Sequence, residues 1–563
     1  MKNTKYSIGV DYGSESGRVL IVNTNTGEIK GKHVIPYRHG VMTEKIPTNP
    51  TNIPKGSALQ HPQDFLEVLE EGIPQAIASA GINPNQIIGL GIDFTSSTLL
   101  PVDKNLTPLC FLEEFKDYHH AWVKLWKHHH TKPQTDKIFQ LAASRKEQWL
   151  RCLGFNISEE WAIPKILEVF EDAPDIYAST SYFLEAVDWL ISILTSTLTR
   201  NNCSLGFKAF WNDTNWFPVE FFKELDMKFG STILTKLQGE VKNVGTCAGL
   251  LTEQWAKKLS LPYGLPIAVG IIDAHAAVLG TGVSQSETLL MVMGTSTCHL
   301  MLNTELKEIP GISGVVKDAI LPGMYAYEAG QSAVGDLFGA YVKKHIPESY
   351  HLEADRLGIS IFDLLERKAN ELLPGENGMF ALDWHNGNRS ILSDADLSGV
   401  LIGLTLHTKP EEIYRAYMES TAFGAKIIFD TYLEWGMNIK EVVAAGGLPQ
   451  RNSLLMQIYA DIFNMPIQIS QSDYAPAIGA AILGAVAAGD ENDGYDEIEN
   501  AILHMAQPIE KTYYPNEESA AIYAKMFTHY KEMHNYFGLQ HVKLMKSLKQ
   551  LRNVRKNKDI VSC

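Results

Sequence analysis

Apolar positions near the start of the chain fall in two runs joined by a small polar tip. Tyr6-Ser7-Ile8-Gly9-Val10-Asp11 leads in, Gly13-Ser14-Glu15-Ser16-Gly17 turns, and Arg18-Val19-Leu20-Ile21-Val22 leads back. That pattern predicts a β-hairpin. A third strand is expected over 27–36, a helix over 62–80, and a buried strand over 87–92 that ends in Asp93-Phe94-Thr95-Ser96-Ser97-Thr98. Half a chain later the hairpin recurs: Leu289-Leu290-Met291-Val292-Met293, a Gly294-Thr295-Ser296 tip, and Thr297-Cys298-His299-Leu300-Met301-Leu302. Around it lie an expected strand over 266–272, a third strand over 323–328, a strand over 441–445 running into Gly446-Gly447, and a Gly/Ala-rich helix over 476–489. Apolar runs bounded by turn signals and separated by helical stretches make this an α/β chain. The duplicated hairpin implies two similar halves.

The stretch 110–260, richer in helix, reads as an elaboration on the first half. The acidic Asp490-Glu491-Asn492-Asp493 reads as a surface loop, 516–537 as a helix, and 539–563, with seven Lys or Arg, as a solvated terminal helix, the alternative being a basic amphipathic segment on a membrane surface. Three segments follow: 1–285, 286–490 and 491–563.

The 563 residues carry a formal net charge of -16, which argues against nucleic acid as a general partner. An anionic ligand then needs local neutralisation. Six scattered cysteines without a CxxC pair fit free thiols in a reducing compartment. No apolar run reaches the ~18 residues of a membrane span, and the first strand leaves no room for a cleavable signal. The expectation is a soluble cytoplasmic protein.

Small tips with bare N–H groups and hydroxyls can approach a phosphate closely, so Gly13, Ser14, Gly294 and Thr295 are phosphate candidates. Asp11, at the foot of the first tip, can hold Mg²⁺ or merely start a turn. Asp273 ends a strand, where ligands gather in open α/β sheets. It can take a proton from an attacking hydroxyl or cap the helix that follows. Lys208, among apolar and aromatic neighbours, either snorkels or donates to a substrate oxygen. His119, His120 and His128-His129-His130 form a run without metal-ligand spacing and are taken as polar surface.

In order, these motifs resemble the FGGY carbohydrate kinases. The pieces that carry the likeness are Asp11-Tyr12-Gly13-Ser14-Glu15-Ser16-Gly17-Arg18, Met293-Gly294-Thr295-Ser296-Thr297, and Gly446-Gly447 with Asn452. The resemblance implies two actin-like, ribonuclease H-like ATPase domains around a central cleft, with helical elaborations. It implies ATP and Mg²⁺ as cofactors, with Asp273 as general base and Asp11 as the Mg²⁺ anchor. Gly13, Ser14, Gly294, Thr295, Gly446, Gly447 and Asn452 would hold the nucleotide. Thr95, Ser96, Trp126, Lys208, Asp273 and Glu328 would contact the sugar.

Further segments, among them Gly206-Phe207-Lys208-Ala209 and Tyr327-Glu328-Ala329-Gly330-Gln331-Ser332, carry a resemblance within that family, and it implies L-ribulose phosphorylated at its terminal 5-hydroxyl, in L-arabinose breakdown. The alternative is another sugar kinase of the family, xylulokinase-like or acting on a different ketopentose or polyol. The implied partners are small molecules, with no nucleic acid and no membrane, and a homodimer is left open. The rival classes are an actin- or chaperone-type ATPase and a sugar-responsive regulator.

Overall fold

The computed structural model describes residues 4–212, 215–216, 218–471 and 473–561. The expected first hairpin forms as β1 (Tyr6–Tyr12) and β2 (Ser16–Asn23), followed by β3 (Ile29–Pro36) and, after a helical crossover, β4 (Ile87–Phe94). Every residue of β1 and β4 is buried, as strands covered on both faces must be. β5 (Cys247–Leu250), β6 (Pro266–Ala268) and β7 (Ile271–Ile272) complete a sheet ordered β5-β6-β4-β1-β2-β3, with β7 also on β4.

The second sheet repeats this plan. β8 (Thr288–Met293) and β9 (Thr297–Asn303) form the hairpin. β10 (Gly314–Lys317), β11 (Tyr325–Gln331), β12 (Glu441–Ala445), β13 (Ile467–Ser470) and β14 (Ile509–Tyr513) follow. Its order is β10-β11-β9-β8-β12-β13-β14. In each sheet the leading strand pairs antiparallel with its hairpin mate and parallel with the strand after the crossover. β14 falls in the expected 491–563 segment yet pairs with β13.

Several expectations needed correction. The 266–272 strand breaks at Val269-Gly270, where a Cβ on Gly270 would stand 2.3 Å from Val187 Cγ2. The 62–80 helix is interrupted by a wide turn over Val68–Gly72, because Pro74 has no amide to donate into the preceding turn. The 110–260 elaboration is rich in helix, as expected, and carries strands as well. It supplies β5 and two strands of a small sheet formed by Leu59–Gln60, Val123–Lys124, Leu99–Val102 and Tyr182–Glu185. The expected terminal helix forms over Val542–Val561, but it is docked rather than fully solvated, through Lys546 on Asp394 (2.7 Å) and Lys549 on Asp396 (2.9 Å). Among the described residues no helix is long and apolar enough to cross a membrane.

Three helices position the site: α1 (Asn202–Lys208), α2 (Asp273–Gly280) and α3 (Ala475–Ala488). α3 follows a strand of the second sheet but lies on the first. A Cβ on Gly9 would stand 1.8 Å from Ala477 O, one on Gly91 1.9 Å from Ala480 O, and one on Gly89 1.9 Å from Gly484 O. α2 meets α3 as closely: a Cβ on Gly479 would lie 1.9 Å from Ala276 O. Backbone rests on backbone along this seam, and one apolar cluster runs through it from Leu20 and Ile271 to Leu290 and Ala477.

Gly91→Ala should therefore destabilise the protein by at least the ~1–3 kcal/mol of core overpacking, read as a lower Tm. Gly339, in the helix Gly335–His345, has nothing within 4 Å of its Cβ position. Gly339→Ala should be neutral or stabilising by about 0.5–1 kcal/mol. A wild-type Tm for Gly91→Ala would mean that the seam opens easily.

Candidate functional site

Three carboxylates come together at the carboxyl ends of β1, β4 and β7. Asp11 pairs in register with Asp93 on the parallel neighbour β4, and Asp93 with Ile271 of β7. Registered residues of adjacent strands point to the same face, as do residues two apart along a strand. The chain carries Asp273 two residues beyond Ile271, as the first residue of α2. Asp11 is buried and bonded to Arg18 Nη1 through Oδ2 at 2.8 Å, a cross-strand pair within the first hairpin. Asp93 is fully buried, and neither of its oxygens has a hydrogen-bond partner. Burial, then the Asp11 and Asp273 carboxylates, push the Asp93 carboxyl well above its ordinary range.

Asp273 is half-buried, and its Oδ1 accepts from Ala274 N at 2.7 Å. Both readings of this residue thus have structural content: it opens a helix, and it faces the other acids. Burial first, and the Asp11 carboxylate second, raise its carboxyl to about 7.

The first tip is closed by Gly13 N donating to Ser16 O at 3.0 Å. Trp126 Nε1 donates to Ser14 Oγ at 3.0 Å, and Gln60 Nε2 to Ser14 O at 2.8 Å. Trp126, expected as an apolar wall, is half-buried and also braces the tip. Thr95 N donates to Tyr12 O at 3.1 Å, while the Thr95 and Thr98 hydroxyls share a 2.8 Å bond. Ser96 is half-buried beside them. The fully buried Lys165 donates to Ser97 O at 2.6 Å and Leu125 O at 2.9 Å, tying the 95–98 loop to the residue just before Trp126.

Lys208, at the end of α1, and Glu328, on β11, meet across the two halves. Lys208 Nζ donates to both Glu328 oxygens, at 2.8 and 2.9 Å, and the side chains are 1% and 3% exposed. Two charges expected to face a sugar are thus already paired with each other. Arg389 Nη2 adds a 2.7 Å bond to Glu328 Oε1, and His275 Nε2 lies 3.2 Å from Oε2. Burial on its own would raise the Glu328 carboxyl. Lys208, His275 and Arg389 outweigh it and hold the group well below the ordinary carboxylate range.

The second tip, like the first, is closed on itself, Gly294 N donating to Ser296 O at 2.9 Å. Gly294 and Thr295 are exposed, and a Cβ on Gly294 would meet nothing within 4 Å. Gly446, at φ +102°, lies so close behind that a Cβ there would stand 2.5 Å from Met293 O, and Gly447 is half-buried after it. Asn452 is different: it is buried and caps the helix Ser453–Phe463, its Oδ1 accepting from Leu455 N at 2.8 Å.

The histidine run is not polar surface. His128 is fully buried, 3.1 Å from Glu168 Oε2; His130 Nδ1 is 2.8 Å from Glu168 Oε1, and His129 Nδ1 is 2.8 Å from Glu159. The strand Val123–Lys124 and the turn after it fold the run back onto the helix Ala162–Asp172, whose buried carboxylate gathers donors. Asp172 completes a group of metal-ligand type with His130 and Glu168, but Lys124 Nζ already neutralises Glu168 at 2.8 Å.

Sequence reasoning missed Asp93, Arg18, His275, Arg389 and Lys165. Arg18 had a signal, since a tight hairpin places it opposite Asp11. Asp93 had one too, as the polar end of a buried strand. Arg389 lies 61 residues beyond Glu328, with nothing local to link them.

A fold of two matching α/β halves, with strand-end carboxylates and two glycine tips, defines a phosphotransferase-type cleft. The model of the FGGY family of carbohydrate kinases matches residues 6–280 with its N-terminal domain and 289–488 with its C-terminal domain. The chain belongs to the FGGY family of carbohydrate kinases. It is 47% identical over 541 residues to the ribulokinase of Bacillus licheniformis, covering 96% of this chain and 98% of the relative. To the ribulokinase of Geobacillus thermodenitrificans it is 48% identical, covering 97% of each. In fold it is similar to xylulose kinase from Rhodospirillum rubrum, with a TM-score of 0.77 at 18% identity over 95% of this chain and 99% of that one. Plasmodium falciparum glycerol kinase with ADP gives 0.73 at 15% identity over 94% and 98%.

The Lys208–Glu328 pair generates a stability prediction. Removing one partner of a buried pair costs about 3–5 kcal/mol because the other charge is stranded. Lys208→Met should lose up to that much, less whatever Arg389 recovers, and the Lys208→Met/Glu328→Gln double variant should regain part of it. Thermal melts of the three proteins check this. A single variant as stable as wild type would make the pair energetically silent.

Proposed function

We propose that the chain transfers the γ-phosphoryl group of ATP to the terminal 5-hydroxyl of L-ribulose, giving L-ribulose 5-phosphate within L-arabinose breakdown. The observation that supports this reading most is its nearly full-length similarity, at 47–48% identity, to two ribulokinases. The geometry agrees with it: an acid raised to about 7, two small-residue tips, and a charged pair spanning the halves. The protein is proposed to work in the cytoplasm on these small-molecule substrates.

Asp273 is the proposed base. It takes the 5-hydroxyl proton as that oxygen attacks the γ-phosphorus. Its N–H-capped carboxylate is fixed in orientation by Ala274. Gly13, Ser14, Gly294, Thr295, Gly446 and Gly447 are proposed to bind ATP, the glycines letting backbone approach phosphate and base. Asn452 belongs to this group only through the helix start that it caps. Thr95, Ser96, Trp126, Lys208 and Glu328 are the proposed sugar contacts. Sugar oxygens entering between Lys208 and Glu328 would replace part of an existing ion pair, so the site stays satisfied with or without substrate.

The donor set at the strand ends consists of hard carboxylate oxygens, which fits Mg²⁺; Asp11 would hold it. When bound, Mg²⁺ neutralises phosphate charge. Little covalent work falls to the protein: it must align acceptor and phosphorus, hold the proton acceptor, and exclude water so that ATP is not hydrolysed.

An assay over ketopentoses, pentitols and glycerol tests the substrate, with L-ribulose expected to have the highest kcat/KM. A higher value for D-xylulose or glycerol would end the L-ribulose reading and leave a sugar kinase of the family. Asp273→Asn should lower kcat by roughly 10²–10⁴-fold with small changes in KM. The base works only when ionised. Wild-type kcat/KM should therefore fall as pH drops through about 7, the value to which burial and Asp11 raise this carboxyl. Near wild-type kcat in Asp273→Asn would reduce the residue to a helix start.

A further inference from the structure

Asp93 is a buried carboxyl to which no N–H or hydroxyl of the protein donates, and its nearest polar neighbour is another carboxyl, that of Asp11. It has no measurable exposure, and both oxygens lack a hydrogen-bond partner. Such a group is costly and persists only where something compensates it. Its register shows where compensation must come from. Asp93 sits opposite Asp11 on β1 and Ile271 on β7, so its side chain shares the face that carries Asp11, with Asp273 just beyond.

The charges at these strand ends do not balance. Asp11, Asp93 and Asp273 bring three carboxylates, and Arg18 brings one guanidinium, which leaves two negative charges when all are ionised. Arg18 is already committed to Asp11 Oδ2 at 2.8 Å. Asp11 therefore offers a cation a carboxylate that is partly neutralised, whereas Asp93 offers two free oxygens. Mg²⁺ favours one or two carboxylates together with phosphate oxygens.

We propose that Asp93 is the second carboxylate of the divalent-cation site that Asp11 anchors, and that its unpartnered oxygens are hard ligands for a Mg²⁺-sized ion. This rests on the reading of the cleft as a Mg²⁺–ATP site. It gives the cation a role beyond carrying the nucleotide: it compensates a charge that the fold has placed at the foot of the phosphate tip.

The test uses the full-length enzyme without nucleotide and Mn²⁺ as the probe, free Mn²⁺ being measured by electron paramagnetic resonance. Asp93→Asn is compared with wild type and Asp11→Asn, and metal-free melts are recorded for each. The expected result is Mn²⁺ binding at least tenfold weaker in Asp93→Asn. Its metal-free Tm should equal or exceed wild type, because a buried carboxyl that no donor satisfies and that two other carboxyls crowd has been replaced by an amide. Should the Asn variant not fold, Asp93→Ser is measured in its place and judged by the same criteria. Wild-type Mn²⁺ affinity in the Asp93 variant, with loss in Asp11→Asn, overturns the assignment of Asp93 alone. Unchanged binding in both variants overturns the cation reading of the cleft as well. A lowered metal-free Tm with unchanged Mn²⁺ binding makes Asp93 a structural residue and also overturns the proposal.

Discussion

Everything at the site depends on one contact, the seating of α3 on the bare face of β1 and β4. Gly9 and Gly91 let helix carbonyls come within a distance that any side chain would forbid. Two residues further along the same strands, on the same face, stand Asp11 and Asp93. The strand pattern thus switches from no side chain to a carboxylate where the sheet passes from helix contact to cleft. Because α3 is reached from the second sheet, the contact also fixes one half of the molecule to the other. A shift of α3 would displace the second tip relative to the acids.

The tight seam limits how the halves can move. Close-packed backbone does not deform continuously, so closure over a substrate would have to hinge about the seam. The glycines of α3 and α2 make a thin pivot, with the buried apolar cluster around it. The buried charged contacts of Glu328 lie beside that pivot, His275 of α2 being next in sequence to Ala276, which meets Gly479.

Much of this was legible in the sequence, because the hairpins are strictly local. The apolar runs around small polar tips in 6–22 and 289–302 were enough to expect β1, β2, β8 and β9, and the duplication was enough to expect matching halves. Asp273 and Asp11 were visible as strand-end acids next to small residues. What stayed hidden depends on contacts far apart in the chain. The Glu328 cluster draws on residues 208, 275, 328 and 389, which no spacing rule connects. Glu168 turned a surface-like histidine run into buried structure for the same reason. The glycines at 9, 89, 91 and 479 looked like ordinary strand and helix punctuation. Their purpose appears only when the second half of the chain lies against the first.

The start of α2 joins the two charged clusters. Asp273 faces Asp11 and Asp93, and two residues later His275 lies 3.2 Å from Glu328, with its other ring nitrogen 3.0 Å from Cys203 Sγ. In a helix those two side chains diverge by about 200°, so one short segment can serve both sides. The pairing of Lys208 and His275 from the first half with Glu328 and Arg389 from the second forms only when the halves are together. The orientation of the α2 start, and with it the Asp273 carboxylate, is then coupled to whether the cleft is assembled. Burial enters twice in that coupling. It raises Asp273 towards neutrality, and it strengthens the attractions that keep Glu328 ionised. A carboxyl raised to about 7 and a firmly charged anchor between the halves thus arise from the same low-dielectric surroundings, reached from one helix start two residues apart.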